Sequence, residues 1–491
     1  MSPATSAKLL DSTVWEKRYF DGAWKAAPAA INVREPATGA SLGTAGGGTA
    51  ELATELTNRA AEAQPKWGEA SNEDRARIIR EAARIIEANA PEIAEWIIRE
   101  TGGVRPKADF EIAIAVGELH HSAALLTQPI GQILPSPDPE RMSLARRVPV
   151  GVVSVITPWN VPLVLAMRSV APALALGNAV VLKPDPQTPV CGGYLLARVF
   201  EQAGLPAGLL SVVPGGADVG EALVTAPAVR LVTFTGSSAV GRRVGELAGR
   251  GLKKVSLELG GNSPMIVLDD CDLDAASSAG AWGSFLHQGQ ICMATSRHIV
   301  LRKVAGAYVE KLAARAAALP VGDPFREQVA IGPLISEKQL NRVDGIVKDS
   351  VSAGAKLVTG GTHAGLFYKP TVLADVGTET RAFQDEIFGP VAPVTIAEDD
   401  EHAIALANST GYGLAAAVQT GSVDRGFRIA RRLRSGMVHV NDQTVADHPG
   451  IPMGGMGQSG NGTRFGSTTN LDEFTEWQWL TLGARPVRYP F

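Results

Sequence analysis

The chain has 491 residues, with 46 Lys and Arg against 50 Asp and Glu, and its formal net charge is −4. This near-neutral balance argues against a nucleic-acid-binding or polybasic membrane-surface protein, because phosphate backbones require clustered positive charge. Three scattered cysteines exclude a disulfide framework, and the lack of about 20 consecutive apolar residues predicts no transmembrane helix.

The first hundred residues predict a short hairpin followed by helices. Residues 1–13 lack a basic region followed by an apolar one, so we expect no secretory signal and a cytoplasmic location. The Asp-Gly pair at 21–22 lies between aromatic residues, as in a tight hairpin. Apolar residues then recur at helical spacing over 49–67 and 72–101. Pro106 is expected to open a further helix.

The middle of the chain alternates apolar strands with helical patterns. The predicted strands are Gly151–Ile156, Ala179–Leu182, Leu210–Val213, Leu231–Phe234 and Val255–Glu258. Continuous apolar strands that alternate with helices indicate a parallel sheet covered on both faces. We therefore predict a doubly wound α/β domain of the Rossmann type.

A second alternation follows, so we expect a second α/β domain. Its predicted strands are Pro264–Leu268, Ile299–Arg302, Ala355–Val358, Leu414–Gln419 and Met437–Asn441. The tail segment Glu473–Leu480 alternates polar and aromatic residues, and a lone strand of this kind is expected to pair elsewhere, including with another subunit. We divide the chain into a first domain (1–127 and 147–254), a second domain (255–470) and an arm (128–146 and 471–491).

Two glycine-rich motifs do not fit the nucleotide-binding folds that they suggest. Gly455–Gly460 matches G-x-G-x-x-G, but loop rather than helix follows it. Gly236–Gly241 resembles a P-loop, but Arg242 and Arg243 stand where Lys and Ser or Thr are required. Gly236 and Ser237 nevertheless follow an apolar strand and open a helix, which fits either phosphate binding or an ordinary turn.

Three polar residues have surroundings that favour chemistry. Cys292 lies among glycine and small polar residues, whereas Cys191 and Cys271 are expected to be buried and inert. Glu258 ends a strand between leucines, where burial would raise the pKa of a general base. Asn160 follows the first strand of the predicted sheet, where α/β folds place ligand-binding loops. His120 and His121 lack further ligands at zinc spacing, so we expect no metal site.

Six motifs occur in order along the chain: Pro158-Trp159-Asn160, Leu182-Lys183-Pro184, Phe234-Thr235-Gly236-Ser237, Leu257-Glu258-Leu259-Gly260-Gly261, Gly289-Gln290-Ile291-Cys292 and Glu386-Ile387-Phe388-Gly389-Pro390. Through them the chain resembles the aldehyde dehydrogenase superfamily over nearly its whole length. The segment Phe285–Arg297 most resembles the benzaldehyde and vanillin dehydrogenase branch. The resemblance implies that the first domain binds the cofactor, the second carries catalysis and the arm serves oligomerisation.

The resemblance also implies a role for each matching residue. The Cys292 thiolate would attack the aldehyde carbon, and the Asn160 amide with the Cys292 backbone N–H would stabilise the oxyanion. Glu258 would activate the water that hydrolyses the resulting thioester. Its presence disfavours the branch that transfers the acyl group to coenzyme A.

For NAD or NADP, the resemblance implies that Lys183 and Glu386 hold the two riboses and that Gly236 and Ser237 contact the pyrophosphate. Trp159 and Phe388 belong to the same cofactor site. Pro186 stands where NAD-specific relatives often carry a glutamate, so a charge that would repel a 2′-phosphate is absent there. We therefore expect both cofactors to be accepted.

The expected substrate pocket is apolar apart from one arginine. Val161, Leu165, Leu286, Ile291 and Met293 favour a ring or an alkyl group. Arg168 occupies a position where semialdehyde-oxidising relatives bind a distal carboxylate, but their second arginine is Leu286 here. Arg168 could instead pair with a carboxylate of the chain itself.

The main prediction is oxidation of an aromatic aldehyde to its acid. Succinate-semialdehyde oxidation stays open because of Arg168. A catalytically idle structural or binding relative is the third reading, although Cys292, Glu258 and Asn160 are all intact. We expect a homodimer or homotetramer, with a small aldehyde as the ligand and with neither nucleic acid nor membrane as a partner.

Overall fold

The computed structural model describes residues 8–491. The first part of the segment that we examined for a secretory signal, residues 1–7, therefore lies outside the described residues. Across the described residues, no helix is both long and apolar enough to cross a membrane.

Strands are numbered in chain order through residues 8–491. They are β1 (Arg18–Phe20), β2 (Trp24–Ala26), β3 (Ala29–Arg34), β4 (Ser41–Gly47), β5 (Gly131–Leu134), β6 (Arg141–Pro149), β7 (Val152–Ile156), β8 (Ala179–Lys183), β9 (Leu210–Val212), β10 (Val229–Thr235), β11 (Lys254–Glu258), β12 (Ser263–Val267), β13 (Thr295–Leu301), β14 (Lys356–Thr359), β15 (His363–Ala364), β16 (Phe367–Tyr368), β17 (Thr371–Ala374), β18 (Val391–Ala397), β19 (Ala415–Gln419), β20 (Met437–Val440) and β21 (Thr475–Gly483).

Helices are numbered in the same way. They are α1 (Ser12–Trp15), α2 (Ala50–Gly68), α3 (Asn72–Ala88), α4 (Ala90–Thr101), α5 (Arg105–Leu125), α6 (Pro162–Ala175), α7 (Leu195–Gln202), α8 (Ala217–Thr225), α9 (Ser238–Arg250), α10 (Leu273–Phe285), α11 (Arg302–Ala318), α12 (Glu337–Ser352), α13 (Arg381–Gln384), α14 (Asp400–Ala407), α15 (Val423–Ala430) and α16 (Thr469–Phe474). A π-helix covers Val190–Tyr194, and 3₁₀ turns cover Leu286–Gly289 and Gly457–Ser459.

The first sheet has seven strands in the order β11-β10-β7-β8-β9-β1-β2. Strands β11, β10, β7, β8 and β9 are parallel neighbours, and the predicted hairpin of β1 and β2 adds an antiparallel edge. Every residue of β7 and β8 is buried, as expected for strands covered on both faces. The predicted doubly wound α/β fold class is confirmed.

The second sheet has the order β14-β17-β18-β13-β12-β19-β20, with β14 antiparallel to its neighbour and the others parallel. Strands β17 and β18 were not predicted from the sequence. β11 runs through Glu258 and pairs with β10, so this segment stays in the first sheet and the second sheet starts at Ser263.

The arm is a separate three-stranded sheet in the order β21-β6-β5. The tail strand β21 pairs antiparallel with β6 from Thr475↔Pro149 to Gly483↔Arg141. The tail strand therefore finds its partner within its own chain, although we had also considered pairing with another subunit.

Helix α6 connects the first sheet to the loops at its carboxyl edge. All fourteen of its residues are buried, and Pro162 at its first position is compatible with helix initiation. Its N-terminal Leu163 donates its backbone N–H to the buried Glu111 carboxylate on α5 at 2.8 Å. This contact satisfies one of the free donors of the first turn and fixes the helix that carries Leu165 and Arg168.

Candidate active site

A cavity of about 470 Å³ lies between the two α/β domains, and Cys292 and Asn160 are part of its wall. The six residues that we predicted for a substrate pocket all line this cavity: Val161, Leu165, Arg168, Leu286, Ile291 and Met293. Residues from both sheets' connecting loops thus meet at one place, although they are up to 132 residues apart in the chain.

The loop before Cys292 is held in an unusual backbone conformation. His287 and Gln288 have positive φ angles of 50° and 58°, which are uncommon for residues other than glycine. The Gln288 side chain donates to the carbonyls of Gly102 and Pro333 at 2.9 and 2.8 Å. A Cβ on Gly289 would lie 2.2 Å from the Gly389 carbonyl oxygen, so no larger residue fits there. These contacts fix the direction in which the cysteine is presented.

Asn160 lines the same cavity and is fixed against the loop that carries Cys292. It is buried, and its side-chain amide donates to the backbone carbonyl of Gln290 at 2.9 Å. One amide proton is therefore used to hold the loop that carries Cys292, and the second remains for another acceptor.

Glu258 ends β11 beside a second, small cavity that Cys292 and Arg168 also line. The volume of this cavity, about 10 Å³, is of the order that one water molecule needs. Glu258 is only 4% exposed, and neither carboxylate oxygen makes a hydrogen bond of normal geometry with residues 8–491. Burial raises the pKa of Glu258 well above its usual value, against the opposing charges of Arg168 and Arg464.

The Cys292 thiol is protonated at neutral pH in this state. Burial, followed by the negative charges of Glu386 and Glu258, raises its pKa to about 12. The thiol must therefore lose its proton to a base before it can act as a nucleophile.

Arg168 binds two carboxylates of the chain itself. Its Nε donates to Glu118 at 2.9 Å and its Nη2 to Asp447 at 2.5 Å, while Nη1 lies 3.4 Å from the Met453 sulfur. All three charged side chains are at least nine-tenths buried. Two carboxylates against one guanidinium give this group a formal charge of −1.

The predicted cofactor residues lie at the carboxyl edge of the first sheet, where open α/β sheets bind ligands. Lys183 ends β8 and pairs in register with Ile156, which precedes the Trp159 loop. Gly236 and Ser237 follow β10, and the Ser237 hydroxyl caps the thirteen-residue helix α9. Pro186 lies in the turn after β8.

Glu386 and Phe388 reach the same region from the second domain. Gly261 donates its backbone N–H to Glu386 at 2.9 Å, and a Cβ on Gly260 would come within 2.3 Å of the other carboxylate oxygen. Burial raises the pKa of Glu386 to about 7. The rings of Phe388 and Trp159 meet edge to face with centroids 5.4 Å apart. A buried ammonium group, a helix N-terminus and a buried carboxylate together supply hydrogen-bond donors and an acceptor that fit a dinucleotide.

Comparison with known proteins agrees with this arrangement. The model of the aldehyde dehydrogenase family matches residues 24–480. A vanillin dehydrogenase from an Amycolatopsis species is 52% identical over 98% of this chain and 100% of its own length. The chain belongs to the aldehyde dehydrogenase family.

Two further family members are similar over nearly the full length. An NAD(+) benzaldehyde dehydrogenase from Pseudomonas putida is 50% identical over 98% of this chain and 99% of its own. The crystal structure of a salicylaldehyde dehydrogenase from Pseudomonas putida G7, complexed with salicylaldehyde, superposes with a TM-score of 0.93. It is 34% identical and covers 97% of this chain and 99% of its own.

Sequence reasoning missed several residues of this aldehyde dehydrogenase site. Phe110 and Trp282 line the cavity, and Trp282 precedes Leu286 by one helical turn, a spacing that could have identified it. Asp447 and Glu118 carried no local signal, because they are 279 and 50 residues from Arg168 in the chain.

Asp218 is a further omission, since its negative charge acts on Lys183. Burial lowers the pKa of Lys183, and the carboxylates of Asp185 and Asp218 oppose that effect. The carboxyl edge of the first sheet therefore carries carboxylates near Lys183, although Pro186 itself supplies none.

Proposed function

We propose that this aldehyde dehydrogenase oxidises an aromatic aldehyde to the carboxylic acid with NAD or NADP. The observation that carries the proposal is the largely apolar cavity that Cys292 and Asn160 line, in which Arg168, the one arginine among the described lining residues, is already paired. The activities named for the vanillin, benzaldehyde and salicylaldehyde dehydrogenases support the same substrate class.

In the proposed reaction, the Cys292 thiol loses its proton to solvent, and the thiolate sulfur attacks the aldehyde carbon to form the anion of a thiohemiacetal. The free proton of the Asn160 amide and the Cys292 backbone N–H stabilise the negative charge that develops on oxygen. Loss of one such donor typically lowers kcat by about 10²–10³-fold. When bound, the oxidised cofactor accepts the hydride that leaves the adduct, and the acyl group remains on Cys292 as a thioester.

Glu258 then acts as the general base for hydrolysis. Its unpartnered carboxylate accepts a proton from a water molecule in the small cavity, and the resulting hydroxide attacks the thioester. Lys183, Gly236, Ser237 and Glu386 would hold the cofactor, with Trp159 and Phe388 beside it. A hydrolytic base at this position supports a free acid as product rather than a coenzyme A ester.

Succinate-semialdehyde oxidation was the runner-up because of Arg168. The Arg168 guanidinium already binds Glu118 and Asp447, and the formal negative charge of the three-residue group opposes a second carboxylate. A catalytically idle relative is disfavoured because Cys292, Asn160 and Glu258 are all present. Each of these residues lines at least one of the two cavities.

We further propose that the arm forms the interface of a homodimer or of a homotetramer built from dimers. One face of the arm sheet is apolar, because Ile133, Leu144 and Leu480 are neighbours across the strands, as are Met142 and Leu482. Ile133 is 79% exposed, and Met142 and Leu482 are about half exposed. We also propose a cytoplasmic location, which three free cysteines support.

The proposal is tested by initial rates with benzaldehyde, vanillin, succinic semialdehyde and a medium-chain alkanal, each with NAD and with NADP. We expect kcat/KM at least about tenfold higher for the two aromatic aldehydes, because one extra buried apolar contact changes selectivity by about that factor. Preference for succinic semialdehyde would contradict the proposal and would make Arg168 a substrate ligand.

A further inference from the structure

We propose that Glu111 is a positioning residue for Asn160, whose side chain supplies one of the two oxyanion donors. Glu111 acts through the backbone N–H of Leu163, which lies three residues after Asn160 in the chain. This inference rests on the proposed function, because it needs Asn160 to bind the oxyanion. It gives a role in the reaction to a fully buried carboxylate on α5 that is not part of the cavity wall.

The Glu111 carboxylate uses both of its oxygens within the fold. Oε1 accepts from the Leu163 N–H at 2.8 Å, and Oε2 accepts from the Lys107 ammonium group at 2.5 Å. The Glu111 side chain is 0% exposed and the Lys107 side chain 4%. Leu163 lies in the first turn of α6, where backbone N–H groups have no partner within the helix. Glu111 therefore fixes the point at which the chain leaves Asn160 and enters α6.

The residues between Asn160 and Leu163 cannot anchor this turn themselves. Val161 is the N-cap of α6, and its side chain makes no capping hydrogen bond. Pro162 follows and has no backbone N–H. Leu163 thus carries the first donor after Val161, and Glu111 takes the place of a capping side chain. Loss of this acceptor would free the first turn and, with it, the direction of the Asn160 side chain.

The same support also reaches the loop that carries Cys292. The Lys107 ammonium group lies 3.4 Å from the Thr101 hydroxyl oxygen. The next residue, Gly102, accepts at 2.9 Å from the Gln288 side chain, which holds the backbone before Cys292. Two donors that bind one oxyanion must be held at a fixed separation. A common support for both loops provides this.

The Lys107–Glu111 pair is not explained by folding stability. Both charges are removed from water, and replacement of such a buried pair by apolar residues of similar size is often neutral or stabilising. Removal of both charges together should therefore leave the fold intact while it removes the acceptor for Leu163. The effect on positioning can then be measured separately from the effect on stability.

The test compares two double variants that share Lys107→Met. Glu111→Met removes the acceptor for Leu163, whereas Glu111→Gln keeps a carbonyl oxygen there and is the matched control. The readout is the rate constant of the first burst of reduced cofactor with saturating benzaldehyde and NAD. We expect the variant with Glu111→Met to be at least about tenfold slower than its control, because a misplaced reacting group can cost about 10²-fold.

Both double variants are then measured again with Asn160→Ala added. We expect the difference between them to fall to within about twofold, because the group that Glu111 positions is then absent. A merely structural effect of Glu111 would persist in this background. Equal burst rates with Asn160 in place, or the same difference with and without Asn160→Ala, would overturn the inference.

Glu111→Asp decides the question if the apolar double variant does not fold. It keeps the charge that pairs with Lys107 but withdraws the acceptor from Leu163 by one methylene group. We expect a burst at least about threefold slower than that of the unmodified enzyme, and no further slowing when Glu111→Asp is added to Asn160→Ala. An unchanged burst in Glu111→Asp alone would overturn the inference.

The failures of the two proposals are distinguishable. A burst that Asn160→Ala alone leaves at the unmodified rate contradicts the oxyanion role in the proposed function. A burst that Asn160→Ala slows, together with additive effects of the changes at Glu111, contradicts only the positioning role of Glu111.

Discussion

Glu258 is held in the folded protein in an environment that disfavours its charged form. Burial raises its pKa above the usual value of 4.5, and no hydrogen bond of normal geometry within residues 8–491 stabilises the carboxylate. The same burial that makes Glu258 a stronger base therefore reduces the stability of the fold. Such a trade-off between reactivity and folding stability is common where a reactive group is kept out of water.

We predict that Glu258→Gln is more stable than the unmodified enzyme at pH 8. The folded protein binds the Glu258 proton more tightly than the unfolded chain, so its stability falls as pH rises above about 4.5 toward the raised pKa. Glu258→Gln has no carboxylate at this position, so this fall in stability with pH is absent from the variant. Thermal-unfolding midpoints should differ by about 1–3 °C at pH 8 and by less at pH 5.

Glu87→Gln is the control for this comparison, since Glu87 is an exposed residue of α3. We expect its unfolding midpoint to follow that of the unmodified enzyme at both pH values. A Glu258→Gln midpoint that is lower than that of the unmodified enzyme at pH 8 would contradict the unfavourable burial of the carboxylate.

At the level of elements, helix α8 brings a carboxylate to the cofactor edge of the first sheet. Asp218 lies in the first turn of α8 and is exposed, and its charge acts on Lys183. A 2′-phosphate that pairs with Lys183 would also meet this negative charge. We therefore propose that Asp218 supplies part of the negative charge that the family resemblance associates with a glutamate at the position of Pro186.

We predict that Asp218→Asn shifts cofactor preference toward NADP. An exposed charge interaction is worth about 0.2–1 kcal/mol, so the ratio of kcat/KM for NADP over NAD should rise by up to about fivefold. The rise should shrink at high salt, where the charges are screened. Asp272→Asn, at the N-cap of α10 in the second domain, serves as the control.

An unchanged or lower ratio in Asp218→Asn would show that this carboxylate does not act on the 2′-phosphate. Tryptophan fluorescence titration of the variant with each cofactor, without aldehyde, separates an effect on binding from one on turnover.

The strands show why the sequence predicted one sheet more completely than the other. Strands β7, β8 and β10 are short, continuous apolar runs between helices, so their pattern alone identifies them. β17 and β18 follow one another without an intervening helical pattern of comparable length, and β18 contains Pro393, which argues against a strand. Their pairing with β13 and β14 is decided by tertiary packing.

The residues of the candidate site likewise fall into those that the sequence identified and those that it did not. Cys292, Glu258 and Asn160 were identified because each lies in a motif that the sequence displays locally. The partners of Arg168 could not be identified from the sequence. The carboxylates that a long side chain binds depend on which groups the fold places within about 3 Å of it. Residue type alone thus left open whether Arg168 binds substrate or protein.

At the scale of the whole molecule, the arm leaves an apolar face that a monomer would expose. Leu471 and Phe474 just before β21 are buried in the core of the first domain, and the Phe474 carbonyl accepts from Asn178 at 3.0 Å. Truncation near Leu471 would therefore disturb that core as well as the arm.

Ile133→Lys with Leu482→Lys is a cleaner test, since both side chains are exposed on the apolar face. We predict that this double variant elutes as a smaller species than the unmodified enzyme in gel filtration with light scattering. Trp479→Lys, on the opposite face of β21, is the control for a general effect of added charge. An unchanged assembly in the double variant would remove this face from the interface.

The central claim is that Cys292 carries the acyl group and that Glu258 is needed to release it. The most direct measurement is the intact mass of Glu258→Gln after mixing with benzaldehyde and NAD, together with the amount of reduced cofactor formed. We predict a burst of about one reduced cofactor per subunit and one benzoyl group on the peptide that contains Cys292, and neither when Cys292 is also changed to Ala. Steady turnover at the unmodified rate, or a burst without a benzoyl group on Cys292, would contradict the account.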